Sequence, residues 1–321
     1  MPILDMPLKE LQRYKGCSPK PTDHEEYWKR ALAEMNAVEP NVELNPAEFV
    51  SPVADCFDMF FTGVRNARIH AKLLKPKNLG KKAPAILQFH GYNCTSGDWN
   101  EKLAYAASGF VVVALDVRGE SFLSEDTGGP KTFTSVGYFM RGCQDPNPDN
   151  MIMRHIYLDT AELAKIVMGF DFVDENRVFA MGGSQGGALT IACAALEPRI
   201  ARLAPVYPFL CDFKRVWDMD LARDAYGEIR HYFRWFDPAH EHEDELFTRL
   251  GYLDLQFLAP RIKGEVLMAT GLQDNICPPS TQFAMYNKIK SKKQQIIYPD
   301  YGHEFIPQFG DKTYQFFCQA L

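Results

Sequence analysis

A chain of 321 residues with 35 basic and 41 acidic side chains carries a net charge of −6. That balance offers no electrostatic footprint for nucleic acid or an anionic membrane, so neither is expected as a partner, and the substrate is expected to be a neutral or mildly charged small molecule. The length suits one α/β domain with insertions, taken as residues 1–321, and no leader pattern or run approaching about 18 apolar residues suggests secretion or membrane spanning.

In chain order, residues 8 to 37 carry two helical patterns, Leu8 to Tyr14 and Glu25 to Met35, in an N-terminal extension of about 1–40. Asn41 to Glu48 reads as polar and irregular. Val53 to Phe61 and Arg68 to Leu74 then alternate as two strands of an antiparallel hairpin. From Ala83 the pattern changes: Pro84 to Phe89 and Phe110 to Leu115 are continuous apolar runs flanking a helix-like Trp99 to Ser108. Runs of that kind belong to parallel strands buried on both faces by helices, which makes the fold class α/β. A long loop of about 118–153, rich in Gly, Pro, Ser and Asp, is expected to be functional or an interface, and its Tyr138-Phe139 argues against disorder.

A helix over 154–169 precedes the strand Arg177 to Met181, and the helix Ala188 to Leu196 follows it. Between them stands Gly182-Gly183-Ser184-Gln185-Gly186-Gly187. A serine in a sharp strand-to-helix turn is lifted clear of the sheet, and the helix behind it points free N–H groups at the same spot. Leu203 to Pro208 reads as the next strand. Residues 212–256 then break the alternation with a charged, aromatic helical insertion carrying Trp217, Tyr226, Tyr232, Phe233, Trp235, Phe236 and Phe247. At the carboxyl ends of the strands it would roof a crevice as a lid, with most of these rings packing and one or two facing the cleft. Glu265 to Thr270 and Gln294 to Tyr298 close the sheet, with helices Ser280 to Ile289 and Lys312 to Cys318.

A serine hydroxyl needs a base within hydrogen-bond reach and an acid to orient that base. Asp274 and His303 each fall just after a strand, on the same rim as Ser184, and the order Ser, Asp, His is that of the α/β-hydrolases. Glu304 or Asp300 could orient the imidazole in place of Asp274. The oxyanion needs two convergent donors: the backbone N–H of Gln185, and one from the loop Phe89 to Asn93, assigned to Tyr92. His240-Glu241-His242-Glu243-Asp244 reads as a solvated face, and no metal or organic cofactor is expected. The eight cysteines include no C-x-x-C pair; their even count permits disulfides, but several lie in apolar segments where a free cysteine packs as a small hydrophobe, and a reducing cytoplasm fits best.

His90-Gly91-Tyr92, Arg118-Gly119-Glu120, the Gly182 to Gly187 string, Gly271 to Thr281 and His303-Glu304 together resemble the acetyl xylan esterase / cephalosporin C deacetylase family, carbohydrate esterase family 7. Pro208 to Phe213 adds to the likeness, which runs from about residue 5 to the end. The resemblance implies an α/β-hydrolase fold and a serine carboxylesterase that removes acetyl groups from short xylo-oligosaccharides and cephalosporin C. It also implies Ser184 as nucleophile, His303 as base, Asp274 as orienting acid, Tyr92 and Gln185 as oxyanion donors, and a homo-hexamer built as a dimer of trimers. One departure stands out: the family's Arg-Gly-Gln is Arg118-Gly119-Glu120 here. A carboxylate replacing an amide must be balanced if buried, so Arg118 or a nearby Lys or Arg is expected to pair with Glu120. Arg118, Glu120 and Glu304 are thus supporting residues. The competing readings are a peptidase of the prolyl oligopeptidase type, weakened because no propeller precedes the fold, and a non-catalytic binding protein on a hydrolase frame.

Overall fold

The continuous apolar runs form the middle of one sheet in the computed structural model, which describes residues 4–80, 82–120, 123–127 and 138–321. Three strands, β1 (Glu43–Pro46), β2 (Ala54–Thr62) and β3 (Arg68–Pro76), are antiparallel to their neighbours. The remaining six are parallel: β4 (Ala83–Phe89), β5 (Val111–Leu115), β6 (Val173–Gly183), β7 (Arg202–Val206), β8 (Glu265–Gly271) and β9 (Lys293–Tyr298). Their order across the sheet is β1-β2-β3-β5-β4-β6-β7-β8-β9. Strand order therefore reverses at β4, with β5 on one side and β6 on the other, and loops leaving a reversal point frame a crevice at the carboxyl edge.

Alternate residues of each buried strand feed two cores. Ala85, Leu87, Phe89, Val111 and Val113 face one, which holds α2 (His24–Asn36), α4 (Ile152–Met168) and α5 (Gln185–Leu196). Ile86 and Val112 face the other, with Ala106 of α3 (Leu103–Ala107) and Phe316 and Phe317 of α11 (Phe309–Cys318). Helix α5 is buried along its whole length, because it is wedged against α4 and the sheet at once. That position is why its sequence is small and apolar all round.

Residues 41–48 are not wholly irregular: Glu43–Pro46 pair with Phe57–Phe60 as an edge strand. Mostly exposed, that strand has no apolar face to leave an alternating signal, and an edge tolerates its proline. The first helical pattern shortens to α1 (Leu8–Leu11). The 212–256 segment forms α6 (Phe213–Asp218), α7 (Gly227–Phe236) and α8 (Glu243–Leu250), followed by α9 (Leu255–Leu258) and, after β8, α10 (Pro279–Tyr286). Of the long loop, residues 121–122 and 128–137 lie outside the described residues, while Tyr138 and Phe139 are buried in the first core. Among the described residues no helix is long and apolar enough to cross a membrane.

Candidate active site

Strand β6 ends at Gly183 and α5 begins at Gln185, leaving Ser184 alone at the bend with φ 56° and ψ −118°. A positive φ on a serine is a strained state, costing about 1–3 kcal/mol, that persists only when its surroundings fix it. Here they do. The Ser184 N–H donates to Val206 O at 3.0 Å, and the Ser184 carbonyl accepts from Ala188 N at 2.9 Å and Phe209 N at 3.1 Å. The flanking glycines make room for the bend: a Cβ on Gly186 would stand 2.0 Å from Phe89 O, and one on Gly182 2.5 Å from the Gly186 carbonyl.

Two loops from the same edge meet this serine. His303, in the loop after β9, places Nε2 at 2.9 Å from Ser184 Oγ and Nδ1 at 2.9 Å from Asp274 Oδ2. Asp274, in the loop after β8, is fully buried, and its other oxygen accepts the N–H groups of Ile276 (2.9 Å) and Cys277 (2.8 Å). An ionised carboxylate only accepts, so Nδ1 carries the imidazole proton and Nε2 presents its lone pair to the serine hydroxyl. That is the protonation pattern of a general base. Glu304 does not touch the imidazole: it accepts the Gly302 N–H at 3.0 Å and so shapes the loop that carries His303. Two further residues come from the structure alone. Gln282 on α10 lies 3.4 Å from Asp274 Oδ2, and the Tyr207 ring packs on His303 with centroids 4.5 Å apart. Neither sits in a string that announces chemistry, although Gln282 falls one residue beyond the Gly271 to Thr281 stretch.

The register of β4 against β6 pairs Phe89 with Gly182, so the His90 to Asn93 loop leaves the sheet beside the elbow. His90 ties this loop to the end of β5: Nδ1 lies 2.8 Å from Gly91 O, and Nε2 accepts Val117 N–H at 3.0 Å. Those two partners fix a neutral imidazole. Gln185 opens α5, so its N–H has no intrahelical acceptor.

Arg118 does not balance Glu120. Its guanidinium is fully buried against Asp159 of α4, Nε and Nη2 each 2.6 Å from a carboxylate oxygen, with Nη2 also 3.1 Å from Val64 O. Gly119, at φ 76°, turns the chain between the two residues and sends their side chains to different partners. Glu120 instead accepts Asn93 N–H at 3.2 Å and the Gln185 amide at 2.7 Å, and bonds the Tyr138 hydroxyl. The neutral His90 ring stands 3.6 Å away. Burial raises the Glu120 carboxyl above its usual 4.5 against the pull of these donors, and a glutamine at this position would keep a carbonyl oxygen to accept one of them. The Glu120→Gln enzyme is therefore expected to keep kcat within about threefold. The sign of its pH dependence follows from the raised value. Between pH 4.5 and the folded-state pKa the native state holds a proton that the unfolded chain has lost, so wild-type stability falls as pH rises through that window. Glu120→Gln should flatten this slope in urea titrations run across pH.

Around the rim, Tyr226, Phe233 and Phe247 are buried, whereas Trp235 and Phe236 are exposed, so packing accounts for much of the aromatic cluster. His240 and His242 pair with Glu243 and Glu245 of α8. Among the described residues no group of three His, Cys, Asp or Glu side chains is placed to hold a metal.

A mostly parallel sheet with a serine elbow and a downstream Asp and His at its carboxyl edge defines an α/β-hydrolase. The acetyl xylan esterase family model matches residues 1–320. A solved acetyl xylan esterase 1 from a Thermoanaerobacterium species is 57% identical with a TM-score of 0.96, covering 98% of this chain and 99% of its own. A solved acetyl xylan esterase from a Paenibacillus species is 34% identical with a TM-score of 0.92, with the same coverage. The acetyl esterase Axe7A of Xylanibacter ruminicola is 28% identical over 94% of this chain and 70% of its own length. The chain belongs to the acetyl xylan esterase family, and it is a carboxylesterase that hydrolyses acetyl esters.

Proposed function

We propose that this esterase deacetylates short xylo-oligosaccharides and cephalosporin C through an acyl-enzyme on Ser184. The observation that carries the reading is the unbroken line from Asp274 through His303 to Ser184, two contacts of 2.9 Å ending on a strained elbow. Ser184 Oγ attacks the acetyl carbonyl carbon while its proton passes to His303 Nε2. The carbonyl oxygen takes up the negative charge and is held by the backbone N–H groups of Tyr92 and Gln185. Collapse breaks the ester C–O bond, and the departing sugar oxygen takes the proton from His303. Water then adds to the acyl-enzyme, giving its proton to His303, and collapse releases acetate and returns the proton to Ser184. The cycle calls on no metal or organic cofactor.

Residues 212–256 act as a lid over the crevice, and Arg118, Glu120 and Glu304 support the rim through the contacts described above. The family resemblance supports a homo-hexamer formed as a dimer of trimers, which light scattering would contradict by showing a monomer. Eight unpaired cysteines, two of them exposed, support a reducing cytoplasm. Acetate release from acetylated xylo-oligosaccharides, p-nitrophenyl acetate and cephalosporin C tests the substrate assignment. Turnover of the first and third is expected, and release from p-nitrophenyl acetate alone would overturn it.

A further inference from the structure

Tyr92 and Gln185 are held by their side chains as well as by the backbone, and both side chains end in one hydrogen-bonded circuit. The Tyr92 hydroxyl donates to Glu228 Oε1, and the Tyr138 N–H is shared between that hydroxyl and the same carboxylate oxygen, each at 2.9 Å. Glu228 also accepts Phe139 N–H at 3.3 Å and Met140 N–H at 3.0 Å. The Tyr138 ring stacks on Tyr92 at 5.5 Å, and its hydroxyl lies 3.3 Å from Gln185 Oε1. Gln185 Nε2 donates to Glu120, which accepts the N–H of Asn93, the residue after Tyr92, and the circuit closes.

Glu228 stands on α7, and it is 6% exposed. Burial pushes its carboxyl up to about 7 against the pull of the surrounding donors, so keeping an acid here is costly. What the acid does in return is gather three successive N–H groups and a phenol that no neutral side chain of its size could satisfy together. Through that grip the lid helix reaches the loop that carries one oxyanion donor, and through Tyr138 it reaches the residue that carries the other.

We propose that Glu228 is a positioning residue for ester hydrolysis, seating the lid helix so that the N–H groups of Tyr92 and Gln185 converge on the same point. The proposal rests on the assignment of those two groups to the oxyanion. Misplacement of such donors by a fraction of an ångström to an ångström weakens transition-state binding far more than substrate binding.

The test uses Tyr92→Phe, which deletes only the hydroxyl, with Glu228→Gln, Glu228→Ala and the Tyr92→Phe/Glu228→Gln double variant, assayed on p-nitrophenyl acetate. Circular dichroism and melting curves select the folded variants. Tyr92→Phe and Glu228→Gln should each lower kcat by roughly 10- to 100-fold with KM within about threefold. The double variant should be no slower than the slower single, because both cut the same link, and Glu228→Ala should fall below Glu228→Gln. Unchanged kcat in a folded Tyr92→Phe, a rise in KM alone, or losses that multiply in the double variant would overturn the proposal. Ser184→Ala in the same assay separates the two levels: full activity there would mean that the parent mechanism has failed.

Discussion

Ser184→Ala should lose roughly 10⁶-fold in kcat while folding as wild type does. The size follows from the geometry. The hydroxyl touches His303 Nε2 and projects from the elbow, so on the proposed mechanism its removal abolishes the covalent route and leaves only binding and the proposed oxyanion donors. Stability should change little, because alanine meets the same positive φ as serine and the Val206, Ala188 and Phe209 contacts are made by the backbone. Asp274→Asn should cost about 10⁴-fold by presenting the wrong imidazole tautomer to the serine. Steady-state assays on p-nitrophenyl acetate check both, and a loss of less than about tenfold for Ser184→Ala would mean that another group attacks the ester.

Arg118→Ala should destabilise the protein by about 3–5 kcal/mol, a large share of what holds a domain together. Arg118 and Asp159 are each about 1% exposed, and the two 2.6 Å contacts form a planar fork. Removing the guanidinium leaves Asp159 buried and unpaired, with a carboxyl that burial already raises above its usual range. It also frees Val64 O, so the β2–β3 turn, the end of β5 and helix α4 lose their common tie. Replacing both partners by apolar residues should recover much of the loss, because the cost lies in the orphaned charge more than in the missing attraction. Denaturant titrations of Arg118→Ala and of Arg118→Met/Asp159→Leu read the difference. Equal destabilisation by the single and double variants would contradict it.

The parts legible in the sequence are those whose chemistry is local. A buried strand, a glycine-flanked serine and a small-residue helix are contiguous, so the elbow can be read from a dozen residues. Asp274 and His303 were legible because each follows an apolar run that has to be a strand, and parallel strands deliver their following loops to one edge. What could not be read is pairing across the fold. Asp159 sits in a helix whose polar residues pass for a solvated face, yet Arg154, His155, Asp159 and Glu162 are all buried. Nothing in the string shows that Gly119 turns the chain between Arg118 and Glu120, so the expected pairing of Glu120 with Arg118 or a nearby Lys or Arg misses its partners Asn93 and Gln185. Glu228 lies 136 residues from Tyr92, in an insertion that breaks the alternation of strand and helix, and no motif marks it. The edge strand β1 is hard to read for the opposite reason: its signal is weak because little covers it.

The most direct measurement of the central claim is mass spectrometry on enzyme quenched within the first turnover of p-nitrophenyl acetate, with peptides mapped after digestion. The mechanism requires one added acetyl group on the peptide that holds Ser184, formed faster than steady-state turnover and missing from Ser184→Ala. An acetyl group on a different residue in wild-type enzyme, or acetate release at full rate with no acetylated peptide at any quench time, would contradict it.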